Sequence, residues 1–140
     1  MKFFATSVVI RATPEAIWQV LTDAPAYPRW NSTVTRVDGT IALGGKVTVH
    51  AKVAPGRVFP VKVVALDAPR RMVWSGGMPL GLFKGERVFE LRPKAEGGVE
   101  FSMREDYSGL LASLITKSIP DLQPAFDEFA ACLKARVQGS

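Results

Sequence analysis

The spacing of apolar and polar residues changes period twice along the chain. Residues 2–11 are rich in Phe and Val and predict a strand. Thr13-Pro14-Glu15 then supplies a helix start: a hydroxyl that can cap, a proline at the first helical position, and a carboxylate at the positive end. Ile17, Trp18, Val20 and Leu21 give that short helix its apolar residues. The run Asp23-Ala24-Pro25 to Pro28 ends it, and a second short turn carries Tyr27 and Trp30. From 33 to 107 every signal is β. Gly39, Gly44-Gly45, Pro55-Gly56, Asp67-Ala68-Pro69, Gly76-Gly77 and Glu96-Gly97-Gly98 punctuate the segment at intervals that leave about six strands. Val47, Val49, Ala51 and Val53 alternate with Lys46, Thr48, His50 and Lys52, the period-two pattern of a strand with one face inward.

The last third switches to helical spacing. Leu111, Ile115, Ile119, Leu122, Phe126, Phe129, Leu133 and Val137 recur every three or four residues. Pro120 removes a backbone donor and clashes with the preceding turn. The pattern therefore predicts a bend near Ser118–Asp121 and a helix from about Asp121 to Val137. The expected class is α+β: a seven-stranded antiparallel meander, two short helices after its first strand, and a long C-terminal helix over its apolar face. So wide a sheet curls as it twists. A helix only about 10–12 Å across cannot fill that concavity. Large core side chains or a cavity must take the remaining space.

Length and composition narrow the function. At 140 residues the chain is expected to be a single domain, 1–140. One cysteine and one histidine exclude a disulfide framework and leave too few such ligands for a metal or haem site built from them, so no metal and no cofactor are expected. No apolar run nears the roughly 20 residues that span a bilayer. The stretch after Lys2-Phe3-Phe4 is broken by Thr6-Ser7 and ends at Arg11, too short and interrupted for a signal peptide. A cytoplasmic protein without integral membrane association is the expectation. The net charge of +5 comes from scattered basic residues whose adjacent pair is Arg70-Arg71, so no clustered phosphate-binding face, and no nucleic-acid partner, is expected.

Candidate chemistry concentrates between Leu82 and Gly109. The alternate residues Phe83, Gly85, Arg87, Phe89 and Leu91 form the inner face of one strand; Phe101, Met103, Glu105 and Tyr107 form that of the next. Each inner face thus carries one charge. With the intervening turn centred near residue 96, Arg87 falls opposite Glu105, close enough to pair. Pairing offsets the cost of burying either charge alone. The pair can be a structural ion pair, a polar anchor for a ligand's carbonyl or hydroxyl, or an acid–base device. Trp30, Val49, Trp74, Phe126 and Phe129 join these inner residues as expected pocket lining, a role that merges with core filling in a hollow sheet. His50 is expected on the solvated face. Cys132 is expected to be a small half-buried thiol with no histidine placed to activate it, which excludes Ser-His-Asp and Cys-His mechanisms. Gly76-Gly77 and Gly81 precede no helix and so form no phosphate loop.

The order β-α-α-β6-α, Ala26-Tyr27-Pro28-Arg29-Trp30-Asn31, the run Phe83 to Leu91 and the run Glu105 to Leu111 resemble the SRPBCC superfamily, the helix-grip fold of START-like, polyketide cyclase-like and pollen-allergen-like proteins. The likeness spans nearly the whole chain. It implies a sheet gripping the C-terminal helix around a deep hydrophobic cavity. Similar bacterial members often carry histidine at the place of Arg87 and a polar residue or histidine at that of Met103; Glu105 matches a glutamate those members often show. The fold hosts several functions. The expectation carried forward is binding of a small hydrophobic molecule, such as a lipid, quinone or polyketide. The first alternative is a cyclase/dehydratase-type enzyme, with Arg87 polarising a carbonyl and Glu105 or Tyr107 moving a proton. The second is a protein-interaction module that activates a chaperone ATPase or engages the ribosome, supported by the basic surface.

Overall fold

The computed structural model describes residues 2–117 and 120–139. Seven strands, β1 (Lys2–Ile10), β2 (Val34–Gly39), β3 (Lys46–Ala51), β4 (Phe59–Asp67), β5 (Arg71–Met78), β6 (Phe83–Pro93) and β7 (Val99–Ser108), form one antiparallel sheet. Its order is β1-β7-β6-β5-β4-β3-β2. Strands β2 to β7 are thus a meander, and the first strand closes beside the last. Register shifts between Val34 and Arg36 and between Val63 and Ala65 interrupt β2 and β4. Such bulges bend a strand and sharpen its twist, which helps the sheet curl.

Between β1 and β2 lie α1 (Pro14–Leu21), a 3-10 turn at Ala24–Ala26, and α2 (Tyr27–Trp30). Thr13 caps α1 by accepting from the Ala16 N–H at 3.1 Å, with Pro14 and Glu15 in the first turn as expected. After β7 comes a short α3 (Ala112–Thr116), then α4 (Gln123–Gln138). Ser118 and Ile119, within the expected bend, lie outside the described residues; Pro120-Asp121-Leu122 is non-helical. The helix expected from Asp121 starts two residues later, with Pro124 in its first turn, where a missing N–H costs no helical bond.

The concave face of the sheet and α4 share one apolar core. Phe89, Phe101, Met72, Val99 and Ile10 meet Phe129, Ala130 and Leu133 from the helix and Ile17 and Leu21 from α1. Phe101 stacks on Phe129 with centroids 6.1 Å apart. No helix of the described residues is long and apolar enough to cross a membrane.

Candidate functional site

The two inward charges meet as their strand positions require. Arg87 and Glu105 are directly opposed in the β6–β7 register. Arg87 Nε donates to Glu105 Oε1 at 2.7 Å, and the side chains keep 23% and 18% exposure. Tyr107, two residues along the same inner face, donates its hydroxyl to Glu105 Oε2 at 2.6 Å. The guanidinium lies over the Phe126 ring from α4, 4.7 Å from its centroid. Phe83 stacks on Tyr107 at 5.9 Å.

That residual exposure faces a cavity of about 340 Å³ between the sheet and the N-terminal half of α4. Of the residues expected to line a pocket, Val49, Trp74, Phe83, Arg87, Met103, Glu105, Tyr107, Phe126 and Phe129 stand on its wall. Three do not. Phe89 and Phe101 are fully buried against Phe129 in the middle of α4, and Trp30 packs between Tyr27 and Phe129 at 4.8 and 5.5 Å. Alternation assigns a face correctly but does not say how far along a strand the helix closes down.

Other wall residues escaped the sequence reading. Tyr27 reaches the wall from α2, Ala54 and Arg57 come from the connection between β3 and β4, and Val53, which alternation placed on the inward face of a strand, stands on that connection beyond the end of β3. Gly76, Gly77 and Gly85 also line the space. An inward glycine within a strand pattern is itself a signal of a close approach or of room left open. Gly85, between Phe83 and Arg87, carried that signal. The exposed side chains of Val53, Leu80, Leu110 and Leu114 sit on the connections at this same end of the sheet.

The electrostatics favour donation over proton transfer. Burial, then the charge of Glu105 and the hydrogen bond to it, push the Tyr107 hydroxyl well above the ordinary phenol range. Burial does the same to Tyr27, whose hydroxyl donates to the Leu21 carbonyl at 2.5 Å. Both phenols are therefore protonated donors at neutral pH. The Trp74 indole N–H is buried without a hydrogen-bond partner.

His50 stands on the face that alternation assigns it, away from the cavity. Its side chain is half-buried on the outer face, with Nε2 3.0 Å from Asp38 Oδ2, while Asp38 also accepts from Arg36 Nε. The Arg36 hydrogen bond is the main cause holding the Asp38 carboxyl below its usual range. This cluster does not reach the cavity wall. Cys132 is half-buried, its Sγ 3.3 Å from Ser32 Oγ. Among the described residues, no group of three or more His, Cys, Asp or Glu could hold a metal ion.

The family model described as "Polyketide cyclase / dehydrase and lipid transport" matches residues 1–138. The chain belongs to this family. Among solved structures it resembles a hypothetical protein of Helicobacter pylori (TM-score 0.79, 15% identity, 97% of this chain and 88% of the other). It also resembles a START superfamily protein of Mycobacterium smegmatis (0.72, 17%, 98% and 97%). A Thalictrum norcoclaurine synthase point mutant in complex with a transition-state analogue matches at 0.73, with 14% identity over 99% and 94% of the two chains. These likenesses establish the helix-grip fold. By sequence, the chain is 24% identical over 123 residues to the oxopyrrolidines biosynthesis cluster protein O of Penicillium oxalicum, covering 66% of this chain and 61% of that relative's length.

Proposed function

We propose that the protein binds a small hydrophobic molecule in the cavity between the sheet and α4. The observation that carries this reading is a partly open cavity of about 340 Å³ whose wall is aliphatic, aromatic or glycine except for a few polar groups. Arg87, Glu105 and Tyr107 are adjacent among them. That combination of an apolar wall and few convergent polar groups is the usual make-up of a ligand site, and the volume falls in the usual range of about 300–1,000 Å³. Family membership supports the same reading.

The test uses Nile red as a generic apolar probe. Wild-type protein is expected to bind it saturably at one site. Gly85→Val and Ala125→Phe fill the space from opposite walls, and each is expected to weaken binding at least tenfold while leaving the circular dichroism spectrum unchanged. Folded variants that bind as well as wild type would overturn the proposal.

A second reading, a cyclase/dehydratase-type enzyme, draws on the convergence of Arg87 and Tyr107 upon Glu105. In it, Arg87 polarises a carbonyl and Glu105 moves a proton. Glu105→Gln would then abolish turnover of a candidate substrate while leaving its binding intact. Retained turnover would remove Glu105 from the chemistry.

A further inference from the structure

We infer that the cavity selects an uncharged hydrophobe bearing a carbonyl oxygen over a carboxylate of the same shape, because Glu105 has already neutralised the Arg87 guanidinium that would receive it. This inference rests on the cavity being a ligand site.

Arginine carries five N–H donors and no acceptor. Only the Nε donor of Arg87 finds a partner among the described residues, Glu105 Oε1. The four Nη donors have none, on a side chain that stands on the cavity wall. Donors of a guanidinium point outward in its plane, and the central carbon of this one lies over the Phe126 ring, 4.7 Å from its centroid. A ligand oxygen meeting them must come in at the edge. The acceptors at this spot are already engaged: Glu105 takes Arg87 on one oxygen and the Tyr107 hydroxyl on the other. The wall at this spot offers donors and calls for an acceptor.

Charge arithmetic then separates two kinds of acceptor. Arg87 and Glu105 sum to zero. A carbonyl oxygen on the Nη donors keeps that sum, and its hydrogen bonds gain from the charge of the donor. A carboxylate makes the sum −1 within a largely apolar, partly open cavity and sits beside the Glu105 carboxylate. Burying an uncompensated charge is unfavourable, and the like charge adds to the penalty. Arg57, the other cationic wall residue, is solvent-exposed on the connection between β3 and β4, where screening weakens its pull on an anion held at Arg87.

The test is a matched pair, 2-acetylnaphthalene and 2-naphthoate, titrated by calorimetry at neutral pH. Wild type is expected to bind the ketone at least tenfold more tightly. Glu105→Gln keeps the size and the acceptor for Arg87 Nε but deletes the negative charge, so the naphthoate is expected to become the tighter ligand. Arg87→Met is expected to weaken ketone binding at least tenfold. Equal or tighter naphthoate binding by wild type would overturn the inference without needing any variant. So would a ratio unmoved in folded Glu105→Gln. Saturable binding of both probes with no preference sinks the selectivity and spares the binding reading, whereas failure of both to bind removes the two together.

Discussion

The concave face has two halves built from the same three strands. At one end, Met72 on β5, Phe89 and Leu91 on β6, and Val99 and Phe101 on β7 are buried against Phe129, Ala130 and Leu133. At the other end, Trp74 on β5, Phe83, Gly85 and Arg87 on β6, and Glu105 and Tyr107 on β7 stand around a cavity beneath Leu122, Ala125 and Phe126. The alternation is the same throughout. What changes is the helix. From Phe129 onward α4 closes onto the sheet, helped by α1, while its first turn, through Phe126, stands over open space. One half of the face therefore supplies packing and the other polar chemistry, and the border runs between Arg87 and Phe89, two residues apart on one strand.

The sharpest way to break this comparison is to truncate a phenylalanine on each side of the border. Phe89 is fully buried, 4.7 Å from Trp74 and 6.2 Å from Phe129 between centroids. Phe89→Ala is expected to cost about 3–5 kcal/mol in urea unfolding, since the lost burial is joined by a new void. Phe83 already borders open space and is only half-buried. Its truncation enlarges a cavity that exists and loses a half-buried ring, so Phe83→Ala is expected to cost about 1–2 kcal/mol, well below Phe89→Ala. Equal losses would erase the border.

The border also marks where sequence reasoning stops. The opposition of Arg87 and Glu105 was readable because a turn centred near residue 96 fixes the register, and the observed pairing agrees. The inward set on each strand was readable because side-chain direction has period two. The placement of Phe89 and Phe101 outside the cavity was not, because it depends on how closely α4 approaches, a tertiary quantity. Arg57 was hidden because its position depends on the path of a connection rather than on periodicity. The His50–Asp38 contact joins two strands whose pairing register, Arg36 with His50 and Asp38 with Thr48, places those side chains on a diagonal that neither strand reveals alone.

The next largest effect separates the tyrosines by pH. The folded pKa of Tyr107 lies above the unfolded value of about 10, as does that of Tyr27. The unfolded chain therefore releases these protons first as pH rises. Stability contributed by the neutral phenols is fully present below pH about 10 and is lost above it. Each should steepen the loss by about 1.4 kcal/mol per pH unit between pH 10.5 and 11.5. Tyr107→Phe is expected to remove one such increment from the slope of urea-unfolding free energy against pH. An unchanged slope would mean that Tyr107 ionises in the folded state as freely as in water.

A smaller effect tests whether Arg87 and Glu105 are coupled as a pair. Arg87→Met leaves Glu105 with Tyr107 as its remaining hydrogen-bond partner. A charged hydrogen bond is worth about 1.5–3 kcal/mol when well enclosed. The pair's residual exposure reduces that, so a loss of about 1 kcal/mol is expected. Arg87→Met with Glu105→Met removes both charges. Urea unfolding of the four corners of the cycle should then give a coupling of about 0.5–1.5 kcal/mol. Additive losses would show two charges that each interact with water alone.

The smallest effect is read at a single methyl on the cavity wall. A Cβ on Gly85 would lie 3.5 Å from the Tyr107 ring and 3.9 Å from Glu105 Oε2, ordinary contact distances. Its backbone is not in the left-handed region, so alanine fits there and restricts the unfolded chain. Gly85→Ala is expected to gain about 0.4–1 kcal/mol of stability. Gly77, on the neighbouring strand of the same open half, has φ near +136°, and a Cβ there would lie 2.4 Å from the Phe83 carbonyl oxygen. Gly77→Ala is expected to be destabilising by more than Gly85→Ala gains. The two glycines both border the cavity, yet only Gly85 is there to leave room; Gly77 is held by its backbone. If urea unfolding showed both substitutions to be destabilising, the space beside Gly85 would be smaller than the geometry gives, and the open half of the face would be packed like its partner.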